Sequence, residues 1–138
     1  MQLYGSTHMD ITTDTSTLIA VVGNEPSRAR AIELTTGHNL IAPSSVHWEV
    51  GNALSAMIKR QRITLAQANG CIDACQQIPI RLVNVDLKQS LALVKKLRIY
   101  AYDAYFLVCA MQFGTPLLTL DEPMKGAAAS LGIEVLEI

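Results

Sequence analysis

The stretch Tyr100-Ala101-Tyr102-Asp103-Ala104-Tyr105-Phe106-Leu107-Val108-Cys109-Ala110 holds one carboxylate in an otherwise apolar and aromatic run. Asp103, Phe106, Leu107, Ala110 and Met111 fall at the spacing of one helical face. Asp103 therefore takes a slot where an apolar side chain is expected. The opposite face, with Tyr105, Val108 and Cys109, is apolar too, so the helix should be covered on most sides. A carboxylate in such a place is costly unless it is paired, hydrogen-bonded or bound to a metal. Taken alone, Asp103 reads as a helix N-cap or a salt-bridged core acid. The rest of the chain sets other acids beside it.

Outward from this helix, strand-like and helix-like segments alternate. Upstream, Asp86-Leu87-Lys88-Gln89 has the form of a capping box and opens a helix ending near Leu97. Residues 80–85 read as a strand. Thr64-Leu65-Ala66-Gln67 is another capping box, starting a helix that runs to about Gln77. Before it, Pro43-Ser44-Ser45 opens a long helix with an apolar stripe of Val46, Val50, Ala53, Leu54, Met57 and Ile58. Residues 39–42 form a short strand. Residues 26–35 form a helix, with Pro26 early in it and Gly37 as its stop. The β-branched, Thr-rich residues 11–19 read as a strand running into a turn or short helix. Downstream, Gly114 ends the helix of Asp103. Residues 116–120 form a short apolar strand, residues 123–131 an Ala-rich helix closed by Gly132, and residues 133–136 a last strand. Strands alternating with helices predict a parallel sheet covered on both faces.

At 138 residues, half of them apolar, the chain has enough material for one domain with one substantial core. Gly5-Ser6-Thr7-His8-Met9 resembles a vector remnant, so residues 1–8 are read as a vector-derived or disordered leader and residues 9–138 as the domain. The net charge of −1 does not advertise nucleic-acid binding, but leaves room for a local basic patch. Cys71, Cys75 and Cys109 form no CxxC pair and read as core cysteines of a reducing compartment. No apolar run approaches the ~18 residues of a membrane helix, and no secretion signal opens the chain. A cytoplasmic protein is expected.

Of twelve acidic residues, four stand out. Asp14 closes the first strand. Glu49 shares the apolar stripe of the long helix. Asp103 does the same in its own helix. Asp121 closes the apolar strand of residues 116–120. In an open parallel sheet, ligands bind outside the carboxyl ends of the strands, where strand order reverses. Acids gathered there repel one another, and a divalent cation removes the conflict. Oxygen ligands without His or Cys point to Mg²⁺ or Mn²⁺ rather than zinc. Such a site activates water and clamps a phosphate for displacement.

Asp14-Thr15-Ser16, Glu49 in its helix, Tyr102-Asp103-Ala104 and Leu118-Thr119-Leu120-Asp121 resemble the motif set of PIN-domain ribonucleases, and among them the VapC-type toxins of toxin–antitoxin pairs. The match spans nearly all of the chain from Met9. The resemblance implies a three-layer α/β/α sandwich with a central, mainly parallel five-stranded sheet. It implies an endoribonuclease that uses Mg²⁺ (or Mn²⁺) to cleave RNA, a cognate antitoxin protein and a homodimer. Carried over residue by residue, Asp14 and Asp103 are the main metal ligands, and Glu49 and Asp121 complete the site directly or through water. Ser16 and Thr119 match hydroxyl positions that support the acids or hold a water. Members often carry a basic residue soon after the last acid; here the extra acid Glu122 precedes Lys125. The alternative function is a catalytically silent PIN-fold protein that binds RNA or a partner. The nucleophile loop of aspartate-dependent phosphatases needs a second Asp where Ser16 stands, so that chemistry is set aside.

The remaining features have plainer readings. Lys59-Arg60-Gln61-Arg62 and Lys95-Lys96-Leu97-Arg98 suit helix C-termini, where the dipole favours cations, and either cluster is also placed to meet RNA phosphates. His38 and His47 read as structural histidines without partners. Trp48, Tyr100, Tyr102 and Tyr105 read as core or interface residues. Ile58, Ile63, Leu65 and Ile72 offer apolar surface for a dimer.

Overall fold

The computed structural model describes residues 8–138, so the leader expected over residues 1–8 lies, His8 apart, outside the described residues. The elements run β1 (Asp10–Thr13), α1 (Thr15–Val22), α2 (Arg28–Thr35), β2 (Asn39–Pro43), α3 (Val46–Lys59), α4 (Leu65–Gln77), β3 (Ile80–Val83), α5 (Leu87–Leu97), α6 (Ala101–Phe113), β4 (Leu117–Leu118) and α7 (Glu122–Ser130). The strands pair in parallel in the order β3-β2-β1-β4. From β1 the chain steps one way to β2 and β3, then returns past β1 to β4. Right-handed crossovers therefore lay α1–α4 on one face and α5 and α6 on the other. The packing agrees: α6 lies on β1, β2 and β4, while α1 gathers α2, α3 and α4 around it. Strand order reverses between β1 and β4, which fixes where a crevice opens.

Local chemistry sets the element ends. Thr64 Oγ1 accepts the Gln67 N–H at 3.1 Å and Gln67 Oε1 accepts the Thr64 N–H at 2.9 Å, the reciprocal capping box that starts α4. The Asp86 box is only half formed. Its carboxylate caps the Gln89 N–H at 3.0 Å, but the Asp86 N–H donates to Gln112 Oε1 at the end of α6, 3.3 Å away. α6 stops at Gly114, whose φ of +64° is open to a residue without a side chain. Pro26 lies in the turn before α2 rather than inside the helix.

The five-stranded sheet is corrected to four strands among the described residues. The strand expected over residues 133–136 survives as one parallel bridge, Leu117 to Val135, flanked by hydrogen bonds of 2.8 and 3.0 Å. The reason lies in its partner. β4 is two residues long, because Thr119 turns its hydroxyl and chain toward the cap of α7. A two-residue edge offers no ladder to extend.

The core joins Leu18, Val46, Val50, Leu54, Phe106, Leu107, Val108 and Leu117, with Ile11 and Ile41 fully buried in the sheet. α6 is buried on most sides, as its sequence predicts, though Met111 at its end is 38% exposed. The polar β1 residue Thr12 is reconciled with burial by Thr115 Oγ1 at 2.6 Å. Ile58, Ile63 and Ile72 pack partly against this core, so of the apolar surface expected on α3 and α4 only Leu65 stands well out. Between those helices runs a groove of about 290 Å³, lined by Leu54, Ile58, Leu65, Ala68 and Ile72. Cys75 and Cys109 are buried and Cys71 is half-buried, all as free thiols.

Leu107 is fully buried at the centre of α6. Leu107→Ala should cost about 2–5 kcal/mol, lost transfer energy plus an unfilled cavity, in urea unfolding. A loss below about 1 kcal/mol would refute the central place given to α6.

Candidate functional site

β1 and β4 end side by side, and the chain leaves each through a capped helix. Asp14 follows β1 in an extended conformation and N-caps α1, accepting the Thr17 N–H at 3.1 Å. Asp121 follows β4 and N-caps α7, accepting the Met124 N–H at 3.0 Å. Two hydroxyls sew these corners together. Ser16 Oγ donates to the Asp14 carboxylate, 2.8 and 3.0 Å from its two oxygens, and accepts the Leu120 N–H at 3.0 Å. Thr119 Oγ1 donates to Asp14 Oδ2 and accepts the Asp121 N–H at 3.0 Å. Thr17 Oγ1 adds a donor 3.1 Å from Asp14 Oδ1. Asp14 is thus a buried carboxylate surrounded by donors. Burial still pushes its carboxyl above the usual 3.8; the bonds from Thr119, Ser16 and Thr17 oppose that push.

Glu49 enters from the first turn of α3 and is buried. Ser45 stands where a capping serine would, yet its hydroxyl leaves the backbone alone and donates to Glu49 Oε2 at 2.8 Å. Thr15 Oγ1, in the first turn of α1, lies 3.4 Å from Glu49 Oε1. Burial pushes the Glu49 carboxyl up to about 7. The Ser45 and Thr15 bonds pull it down, and the charges of Asp103 and Asp14 push it further up. Asp103 is half-buried in the first turn of α6. Burial raises its carboxyl, as do the charges of Asp121 and Asp14. Among the described residues no ion pair engages it.

At the switch point of the sheet the fold brings Glu49 within electrostatic reach of Asp103 and Asp14, and Asp103 within reach of Asp121 and Asp14. Reach is not ligation: among the described residues no three His, Cys, Asp or Glu side chains converge as a ready-made metal cluster. Ser16 and Thr119 sit where the sequence placed them, bonded to Asp14. Thr15, Thr17 and Ser45 were missed. Their signal was spacing: Thr17 is three residues past a capping Asp, and Ser45 is four residues before Glu49. Lys125, the base after the last acid, pairs with Glu122 at 2.9 Å. His38 does have a partner, since its Nδ1 accepts the Met9 N–H at 3.1 Å. Of the core-or-interface reading of the aromatic residues, the core half does not hold for three of them: Trp48 is 79%, Tyr100 84% and Tyr102 50% exposed.

The PIN domain family model matches residues 11–129. The chain belongs to the PIN domain family. The match takes in all four acids and both sewing hydroxyls. Comparison with curated protein sequences finds no match. Three solved structures share the fold at low identity. PAE2754 from Pyrobaculum aerophilum is 18% identical with a TM-score of 0.67, covering 89% of this chain and 86% of its own. VapBC2 from Rickettsia felis, solved bound to a DNA fragment from its promoter, is 16% identical with a TM-score of 0.65, covering 94% and 98%. VapC20 from Mycobacterium tuberculosis, described as a sarcin–ricin loop cleaving toxin, is 16% identical with a TM-score of 0.63, covering 85% and 94%. Among the described residues no helix is long and apolar enough to cross a membrane.

In this PIN domain the raised acids predict a pH dependence. A folded carboxyl above its unfolded value holds its proton longer than the unfolded chain does, so stability falls as pH rises between the two. For Glu49 that window runs from 4.5 to about 7. The metal-free protein should melt at a higher temperature at pH 5 than at pH 7.5, and Glu49→Gln should flatten the slope. A wild-type melting temperature that rises across this window, or a slope that Glu49→Gln leaves unchanged, would contradict the placement of Glu49.

Proposed function

We propose that this chain is a metal-dependent endoribonuclease of the VapC type, the toxin of a toxin–antitoxin pair, with Asp14, Glu49, Asp103 and Asp121 as its acidic site. The observation that carries the reading is the gathering of these acids at the β1–β4 switch point, each of the three most buried held above its usual protonation range. Like charges in a partly dry crevice call for a counter-charge. The donor set is all carboxylate oxygen, which suits Mg²⁺ or Mn²⁺. Asp103 and Asp14 would be the main ligands, with Glu49 and Asp121 direct or through water. When bound, such an ion supplies a water of lowered pKa and neutralises phosphate charge.

The chain's own residues do the rest. Ser16, Thr17 and Thr119 fix the Asp14 carboxylate, and Ser45 and Thr15 fix Glu49, so both acids are oriented before anything binds. Without a counter-charge, burial pushes the Glu49 carboxyl up to about 7, so a bound cation would be what holds it ionised at neutral pH. The basic ends of α3 and α5, with Lys59, Arg60, Lys95, Lys96 and Arg98 all exposed, supply phosphate contacts for a strand of RNA. An antitoxin would place apolar anchors in the groove between α3 and α4 and a planar arginine among the acids. A homodimer fits the apolar side chains left in solvent, including Leu87 at 61% and Leu91 at 60% exposure.

The second reading is a PIN domain that binds RNA or a partner without cutting it. The lack of a ready-made three-acid cluster among the described residues favours it. One experiment separates the two. Purified protein should cleave mixed RNA with Mn²⁺ and stop when EDTA is added. Asp103→Asn should lose at least about a hundredfold in rate, the span of one positioned catalytic group. Its melting temperature should stay level or rise, because a repelled charge is gone. Retained cleavage in the variant would sink the assignment of Asp103, and inactive wild-type protein with tight RNA binding would favour the second reading.

Inhibition has its own readout. An antitoxin peptide should weaken Mn²⁺ binding in a titration followed by calorimetry. Equal Mn²⁺ affinity with and without the peptide would rule out the arginine mechanism.

A further inference from the structure

Beside the acids, at the carboxyl ends of β2 and β3, lies a pocket of about 340 Å³, within the range of small-ligand sites. Its walls are Pro43, Val85, Leu87 and the ring of Tyr105. Its polar groups are Ser44, Ser45 and Asn84. Among the described residues no charged side chain lines it, although the crevice next door is acidic. Two links fix that adjacency. Ser45, part of the lining, is the residue whose hydroxyl holds Glu49 at 2.8 Å. Tyr105, another lining residue, stacks edge-on against Tyr102, the neighbour of Asp103, with ring centroids 5.9 Å apart.

The lining selects its occupant. A phosphate or an ammonium group would leave its charge unpaired there. A flat, neutral, partly polar group fits: an aromatic wall for its face, and an amide and a hydroxyl for its edge. Asn84 has both a donor and an acceptor on its side chain, and Ser44 Oγ sits 3.5 Å from Asn84 Oδ1. The Asn84 carbonyl is anchored from α6 by Gln112 Nε2 at 3.2 Å, so the amide stands on a fixed backbone. Side chains that stack on one face and hydrogen-bond an edge are how proteins read single-stranded RNA.

We propose that this pocket receives the nucleobase of the RNA nucleotide flanking the scissile phosphate, with Tyr105 against its face and Asn84 and Ser44 reading its edge. The inference rests on the ribonuclease reading for the place of the phosphate; base recognition is tested apart from cleavage.

The test uses the full-length protein and pentamers of rA, rC, rG and rU, followed by fluorescence anisotropy in EDTA. The wild type should rank the four, preferring one by about tenfold, the size of one well-made hydrogen bond. Asn84→Asp, which replaces an amide donor by an acceptor, should change the ranking. Ser44→Ala should narrow it. With Mn²⁺ and a randomised RNA pool, Asn84→Asp should shift the base preference at one position beside the cut. A protein that does not cut, but whose pentamer ranking depends on Asn84, would retire the nuclease reading and keep the pocket. A wild type without ranking, or one unchanged by Asn84→Asp, would overturn the pocket whether or not RNA is cut. Unchanged ranking with weakened self-association or antitoxin binding would assign the surface to a protein instead.

Discussion

The structure hinges on one buried carboxylate and the hydroxyls around it. Asp14 sits where a charge is expensive, and it is tolerated because Ser16, Thr17 and Thr119 turn donors toward it. Those donors do two jobs. They satisfy the acid, and they join the exit of β1 to the exit of β4, two places that share only a short stretch of ladder. Each net hydrogen bond is worth about 1 kcal/mol, but leaving the carboxylate unmet would cost considerably more. The bond pattern is therefore a constraint before it is a stabiliser. Where Asp14 goes, the β1–β4 crevice follows.

The same logic explains why α6 is the most enclosed helix. Asp103 must stand in fixed relation to Asp14, and a helix packed against β1, β2 and β4 gives it that fixity. Enclosure has a cost, since burial and the charges of Asp121 and Asp14 both resist ionisation of Asp103. Glu49 is in the same position on the other face, steadied by Ser45 and Thr15. Core packing and capping must offset what this charged corner subtracts. A site of this sort is stable because of the rest of the domain, not because of its own contacts.

Much of this was written in local signals. The α4 capping box, the Gly114 stop and the apolar stripe of α3 depend on residues within a turn of one another, and all were legible. The four acids could be found because each breaks an apolar pattern or ends an apolar strand. Less legible was anything decided by a distant partner. The last strand looked regular in sequence, but its neighbour β4 is too short to pair with it. Pro43-Ser44-Ser45 opens the long helix in sequence, but it took tertiary structure to give the Ser45 hydroxyl to Glu49. Asp86 matched a capping box, yet half of that box was claimed by Gln112. Trp48 and Tyr100 read as core or interface by residue type alone; only the folded surface shows that, among the described residues, no element covers them.

The bond from Thr119 to Asp14 spans 105 positions of chain. Closing so long a loop is entropically slow, and contacts of this range dominate the later stages of folding. A chain growing from its amino end makes β1, β2 and β3 before it owns either the Thr119 hydroxyl that Asp14 accepts from or the acid at position 121. Late in its synthesis, once α6 is made, the molecule has a nearly finished scaffold and an unfinished crevice. Its chemistry is thereby timed by its topology: the acids are brought together only after the segment following α6 has arrived and docked beside β1.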